Sequence, residues 1–148
     1  MSDVEVSQYS ADGLVVTFLG KNISPGLAEG DDAITVENRE PMVDLTTGIK
    51  GDGVFSISRD FSGTIKLKYL QNSSSAKFLN EQVNLMKTGV PIAGPLIISE
   101  IGSDAKVTAN KTMIRGKPKL VRGKKQNTVE FEFLSADCDI NHGEGVTV

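Results

Sequence analysis

The sequence predicts a mainly β fold: a sandwich or barrel of about seven to nine short strands with one flanking α-helix. Three observations carry this. Fifteen glycines with frequent Thr, Val, Ser and Ile favour strands joined by turns over a helical bundle. Two runs, Gly63 to Leu70 and Thr128 to Leu134, alternate cleanly between polar and apolar residues up to their last position. One stretch, Ala76 to Met86, repeats apolar residues at helical spacing. At 148 residues the chain suits a single domain with a real core, and it shows no internal repeat and no domain boundary.

In chain order, Val15 to Leu19 reads as a first strand, with turn residues at Gly20-Lys21-Asn22 and Ser24-Pro25-Gly26. The acidic knot Glu29-Gly30-Asp31-Asp32 leads into a strand from Ala33 to Glu37, with Ile34 and Val36 on one face. Residues 38–62 form an arm: Pro41 and its polar neighbours argue against a central strand. Gly51-Asp52-Gly53 is a tight reversal, and Val54 to Ser58 is a third short run. Val43 and Leu45 are apolar residues in a polar excursion, so they are expected to meet another surface. The strand Gly63 to Leu70 points Ile65, Leu67 and Tyr69 one way, Lys66 and Lys68 the other.

Asn72 to Ser75 offers N-caps for a helix from Ser75 to Thr88, its stripe formed by Ala76, Leu79, Val83 and Met86. Pro91 to Pro95 reads as a linker, Leu96 to Ser99 as a buried strand, and Lys106 to Ile114 as a hairpin. Arg115 to Gln126 is a basic loop, which Pro118 keeps out of a sheet centre. The strand Thr128 to Leu134 points Val129, Phe131 and Phe133 inward. Its outer residues, Glu130 and Glu132, could face Lys66 and Lys68 if the two strands pair. The segment from Asp137 to Val148 is expected to be a loosely held tail.

Charge is unevenly spread. Lys111, Arg115, Lys117, Lys119, Arg122, Lys124 and Lys125 put seven bases in fifteen residues, leaving nine bases against nineteen acids elsewhere. A basic limb on an acidic body can attract copies of itself. The limb could also contact nucleic acid, but it has no aromatic residue for base stacking, and a solvated loop is the plainer reading. The N-terminal segment carries Asp3 and Glu5 where a signal peptide needs bases. The apolar run Leu14 to Leu19 is too short to span a membrane. A soluble protein without membrane insertion, made in the cytosol, is expected.

Catalytic chemistry is hard to place. Asp137, Asp139 and Asn141 imitate the start of a calcium loop, but His142 stands where glycine is needed and Val148 where glutamate is needed. Cys138, the single cysteine, excludes an intramolecular disulfide. Cys138 and His142 could be imagined as a thiol–imidazole pair, yet no strand-to-helix turn or oxyanion donors accompany them. Gly116 and Gly123-Lys124 lack phosphate-loop spacing. The expectation is no enzyme, no cofactor and no metal.

Several strings carry a resemblance. Gly26 to Glu37, Gly51-Asp52-Gly53, Ser58-Arg59-Asp60, Ser62 to Ile65, Leu70 to Ser75, Met113 to Pro118 and Val129 to Phe133 together resemble tail tube proteins of contractile-tailed bacteriophages. The similarity runs from about Gly26 to Leu134, and departs at Met113, where that family carries an aromatic, and after Cys138. It implies hexameric rings joined edge to edge and stacked into a tube inside a sheath, with the phage genome passing through without specific binding. Implied partners are further copies, the sheath, the baseplate and the tail terminator; the implied location is the virion tail, after synthesis in the host bacterial cytoplasm.

On this reading a channel wall should be neutral to acidic, because each base facing phosphate adds salt-sensitive affinity. Glu29, Asp31, Asp32 and Glu37 are the first candidates for the lumen, and Glu130 and Glu132 the second. Val43, Leu45, Asp52, Phe55 and Arg59 are candidates for inter-ring contacts. Arg115, Lys117, Lys119, Arg122, Lys124 and Lys125 are candidates for subunit or sheath contacts. Alternatives remain: a tail terminator, baseplate hub ring or secretion-system tube; a monomeric nucleic-acid- or ligand-binding β-barrel; and a small hydrolase using Cys138.

Overall fold

The computed structural model describes residues 14–28, 33–101, 105–119 and 127–142. Nine strands and one helix fall within them. The strands are β1 (Leu14–Phe18), β2 (Lys21–Asn22), β3 (Ile34–Asn38), β4 (Val43–Thr47), β5 (Gly53–Ile57), β6 (Gly63–Leu70), β7 (Gly94–Glu100), β8 (Lys106–Ile114) and β9 (Thr128–Asn141); the helix is α1 (Ser74–Lys87). Seven strands make one antiparallel sheet in the order β2-β1-β7-β8-β9-β6-β3, while β4 and β5 form a separate two-stranded ribbon. The mainly β, sandwich-like architecture with a flanking helix is as the composition predicts.

The large sheet curls on itself. In a flat sheet β1 and β9, separated by β7 and β8, would lie roughly 14 Å apart. Instead the rings of Phe18 on β1 and Phe133 on β9 meet edge to face with centroids 5.2 Å apart. The alternation predicted for β6 and β9 supplies the inner wall: Ile65, Leu67, Tyr69, Phe131 and Phe133 are all buried. The chain after β2 then crosses the opening. Ile23 donates its N–H to the carbonyl of Val16 and accepts the Tyr69 hydroxyl at 2.7 Å, and Leu27 bridges to Tyr69. Burial raises the Tyr69 pKa well above the ordinary tyrosine range, so the phenol stays a neutral donor.

Helix α1 begins where the serine run places an N-cap: Ser73 accepts the Ala76 N–H at 3.2 Å. Ala76, Leu79 and Val83 are buried in the same core cluster as the sheet's inner face, as the stripe predicts. The first hairpin turns on Leu19 and Gly20, both with positive φ (55° and 80°), the conformation that a two-residue turn matched to strand twist requires. Leucine tolerates this because its side chain packs on the core cluster, lying over Gly94, where an added Cβ would sit 2.3 Å from Leu19 Cδ2.

Three expectations are corrected. Lys106 to Ile114 is one strand and not a hairpin: it lies between β7 and β9 along its length. Midway along it the strand kinks at Lys111, which adopts positive φ (51°). Buried positions step by three there, from Ala109 to Thr112 and from Ser135 to Cys138, where a regular strand steps by two. The Thr112 hydroxyl donates to the Ala109 carbonyl and the Ser135 hydroxyl to the Asn110 carbonyl, so the kink leaves these acceptors bonded.

Second, the segment from Asp137 is not loosely held at its start. It continues β9 to Asn141, paired with β8 from Lys106, and buries Cys138. Residues 143–148 lie outside the described residues. Third, Gly94 and Pro95, placed in a linker, open β7.

Candidate assembly surfaces

The arm predicted over residues 38–62 is a β-ribbon. Val43 pairs with Ile57, Asp44 with Ser56, Leu45 with Phe55, Thr46 with Val54 and Thr47 with Gly53. Because side chains alternate, Val43, Leu45, Phe55 and Ile57 share one face, while Asp44, Ser56, Thr46 and Val54 share the other. Gly51, at φ 86°, supplies the predicted reversal, and Gly48 donates its N–H to the Asp52 carbonyl across it. The return to β6 is fixed by Asp60. It accepts the Ser62 backbone N–H at 3.0 Å, and that bond holds its carboxyl below the usual carboxylate range.

Every residue from Glu37 to Ile57 is exposed. Val43 is 48% exposed, Leu45 57%, Phe55 69%, Ile57 71%, and Ile49 at the tip is fully open to solvent. An isolated two-stranded ribbon is marginally stable in water, and this one leaves its apolar face exposed. Val43, Leu45 and Phe55, named from the sequence, lie on one face, and Ile57 of the Val54 to Ser58 run, not named among them, completes it.

The outer face of the large sheet carries the charges expected of it. Lys66 stands directly opposite Glu132, and Lys68 opposite Glu130. Glu132 makes its ion pair elsewhere, with Arg115 at 2.9 Å. Glu37 lies exposed near the end of β3, opposite Thr64. Glu29, Asp31 and Asp32, the other first-choice lumen residues, lie outside the described residues. So do Arg122, Lys124 and Lys125 of the basic limb.

Lys111 of that limb lies in β8, and residues 115–119 form a strap tied to the helix. Arg115 is held by Glu132, and the Lys117 ammonium donates to Asn80 Oδ1 at 3.3 Å and Asn84 Oδ1 at 2.5 Å on α1. Asn80 and Asn84 are one helical turn apart and so lie on one face. Two of the bases assigned to outside partners are therefore engaged within the chain; Lys119 is exposed. Between strap, helix and the start of β9 lies a cleft of about 290 Å³, lined by Ala76, Val129, Phe131 and Pro118, with Lys77 and Lys119 among the residues at its rim. Nothing in the sequence pattern pairs residue 118 with residue 76, and this cleft was not foreseen.

The two chemical alternatives at the C-terminal end meet the geometry of an extended strand. Asp137, Asp139 and Asn141 belong to β9, where their Cα atoms follow one another about 6.6 Å apart and do not wrap an ion. Among the described residues no cluster of His, Cys, Asp and Glu could hold a metal. Cys138 is buried, and His142 lies four residues along the chain, about 13 Å for extended backbone. Burial, with Asp137 and Asp139 beside it, raises the thiol's pKa, which disfavours the nucleophilic thiolate. No described helix is long and apolar enough to cross a membrane.

Comparison with protein families and with curated proteins finds no match. Among solved structures, the fold matches a chain of the cryo-EM structure of the anti-feeding prophage cap, a tube-terminating cap. The TM-score is 0.58 at 10% identity, over 96% of this chain and 97% of that one. The likeness is thus one of fold, end to end, between chains of nearly equal length.

Proposed function

We propose that this chain is a non-catalytic structural subunit of a contractile phage tail or tail-like particle, assembling into stacked hexameric rings that form its tube. The observation that carries this reading is the ribbon β4–β5, an apolar surface held clear of a body that has already buried its own core. The likeness in fold to a chain of a tube-terminating cap supports the same direction, since that protein belongs to a tube assembly. Ring closure would also cover the outer edges of β3 and β2, which pair with no further strand among the described residues and otherwise invite uncontrolled pairing.

On this reading the sheath, baseplate and terminator are the neighbouring proteins, phage DNA passes without specific binding, and the particle forms in the bacterial cytoplasm. Glu37, with the acidic knot that precedes it, is assigned to the lumen. A second reading, a terminating ring that caps a tube instead of extending it, is favoured by what the matched structure is.

Negative-stain microscopy of the purified full chain separates these. Tubes of many rings are the expected result. Single rings that do not stack select the terminating ring. A monomer that binds DNA with steep salt dependence would replace both with a nucleic-acid-binding barrel.

A further inference from the structure

The ribbon and the cleft beside α1 lie at opposite ends of the body. The ribbon leaves the sheet between Asn38, the last residue of β3, and Gly63, the first residue of β6. The cleft is built around Gln71, Thr128 and Val129, and Leu70 at the far end of β6 pairs with Thr128. Eight residues of strand separate the two, about 23 Å along β6. The ribbon's residues are exposed throughout, so it does not lie back along its own body.

The two surfaces are complementary in character. The cleft has an apolar floor in Ala76, Val129 and Phe131 and carries Lys77, Lys117 and Lys119 with no carboxylate in its lining. Among the described residues no acid pairs with Lys77 or Lys119. The ribbon offers an apolar face and the solvent-exposed Ile49, with Glu40, Asp44 and Asp52 against Lys50 as the only base from Glu40 to Ile57. At about 290 Å³ the cleft lies just below the usual range of small-molecule sites, and suits one or two apolar side chains.

We infer that the cleft between α1, the 117–119 strap and β9 is the socket for the β4–β5 ribbon of a second copy. The inference rests on the assembly reading above and gives that assembly a direction. One end of each subunit inserts and the other receives, so the contact is head to tail, and in a stack of rings it would repeat from one ring to the next. The Lys117 bonds to Asn80 and Asn84 hold the strap in place before the ribbon arrives, which limits the ordering that docking must impose.

A charge swap in the full-length chain tests this, read by sedimentation velocity and negative stain, with thermal unfolding to check that each variant folds. The cleft variant is Lys77→Glu with Lys119→Glu; the ribbon variant is Glu40→Lys with Asp52→Lys. All four positions are exposed, so the fold should survive. Each variant alone should lose stacked assemblies, and the fourfold variant should regain them. Stacking by both single-surface variants as in the unaltered chain would overturn the socket while leaving assembly standing. Loss in both without recovery in the fourfold variant would overturn this pairing of surfaces. An unaltered chain that stays monomeric at every concentration would remove the assembly reading, and the socket with it.

Discussion

The body and the ribbon are made of the same material and use it in opposite ways. β6 and β9 alternate apolar with polar residues, and so does the ribbon, where Val43, Leu45, Phe55 and Ile57 share a face. In the body the alternating face is turned inward by the curl that brings Phe18 against Phe133, and it is closed off by α1 and the crossing segment at Ile23. In the ribbon two strands have nothing to curl around. Equal patterning therefore produces a core in one place and an unpartnered surface in the other. The number of strands available decides which, since two strands cannot bury a face that seven can.

The comparison breaks if the body's apolar residues can be removed as freely as the ribbon's. Phe133→Ala should show that they cannot. Its side chain is fully buried and joins β9 to β1 across the curled sheet, so a loss of about 3–5 kcal/mol is expected in chemical denaturation. A loss under about 1 kcal/mol would mean the curl is held by something other than this contact.

A smaller effect is expected at the kink. Ser135→Ala removes the donor to the Asn110 carbonyl at 2.7 Å, beside the kink at Lys111 where the buried positions of the strand pair change phase. Leaving a partly buried carbonyl without its partner should cost about 1–3 kcal/mol. Ser135→Thr, which keeps the hydroxyl, should recover part of that loss if the bond matters more than the side-chain volume.

The clean alternation of β6 and β9 was legible because both strands bury one face and their polar face stays wet, the condition under which a period of two reads directly. The helix was legible for the same reason at its own period, down to the serine cap. The kink was not. Lys111 in the left-handed region carries no residue signal, since lysine has no special tolerance for it, and only the hydroxyls of Thr112 and Ser135 mark the place afterwards. The end of β9 was misread because Asp137, Cys138 and Asp139 look like a polar tail. They are an edge-to-core alternation, resumed one residue out of phase after the kink.

The surfaces divide along similar lines. Val43 and Leu45 stood out by contrast with their neighbours, while the cleft depends on contacts between residues some forty to fifty positions apart. Linear spacing holds no record of those contacts.

The smallest effect on folding, and the sharpest test of the comparison, belongs to Phe55. Its ring is 69% exposed and pairs across the ribbon with Leu45, itself 57% exposed. Phe55→Ser therefore removes little buried area from the single chain, and cross-strand pairs of this kind contribute only about 0.2–1 kcal/mol. The ribbon is also separate from the large sheet, so its loosening should not reach the core. Thermal unfolding of dilute, unassembled protein should shift by no more than a few degrees. Assembly should respond differently, because an apolar face meeting a partner loses much more when a serine replaces its largest side chain. Stacked particles should become scarce at concentrations where the unaltered chain forms them. Were Phe55→Ser instead to destabilise the dilute chain as much as Phe133→Ala, the ribbon would be part of the body's core, and the contrast between the two regions would be lost.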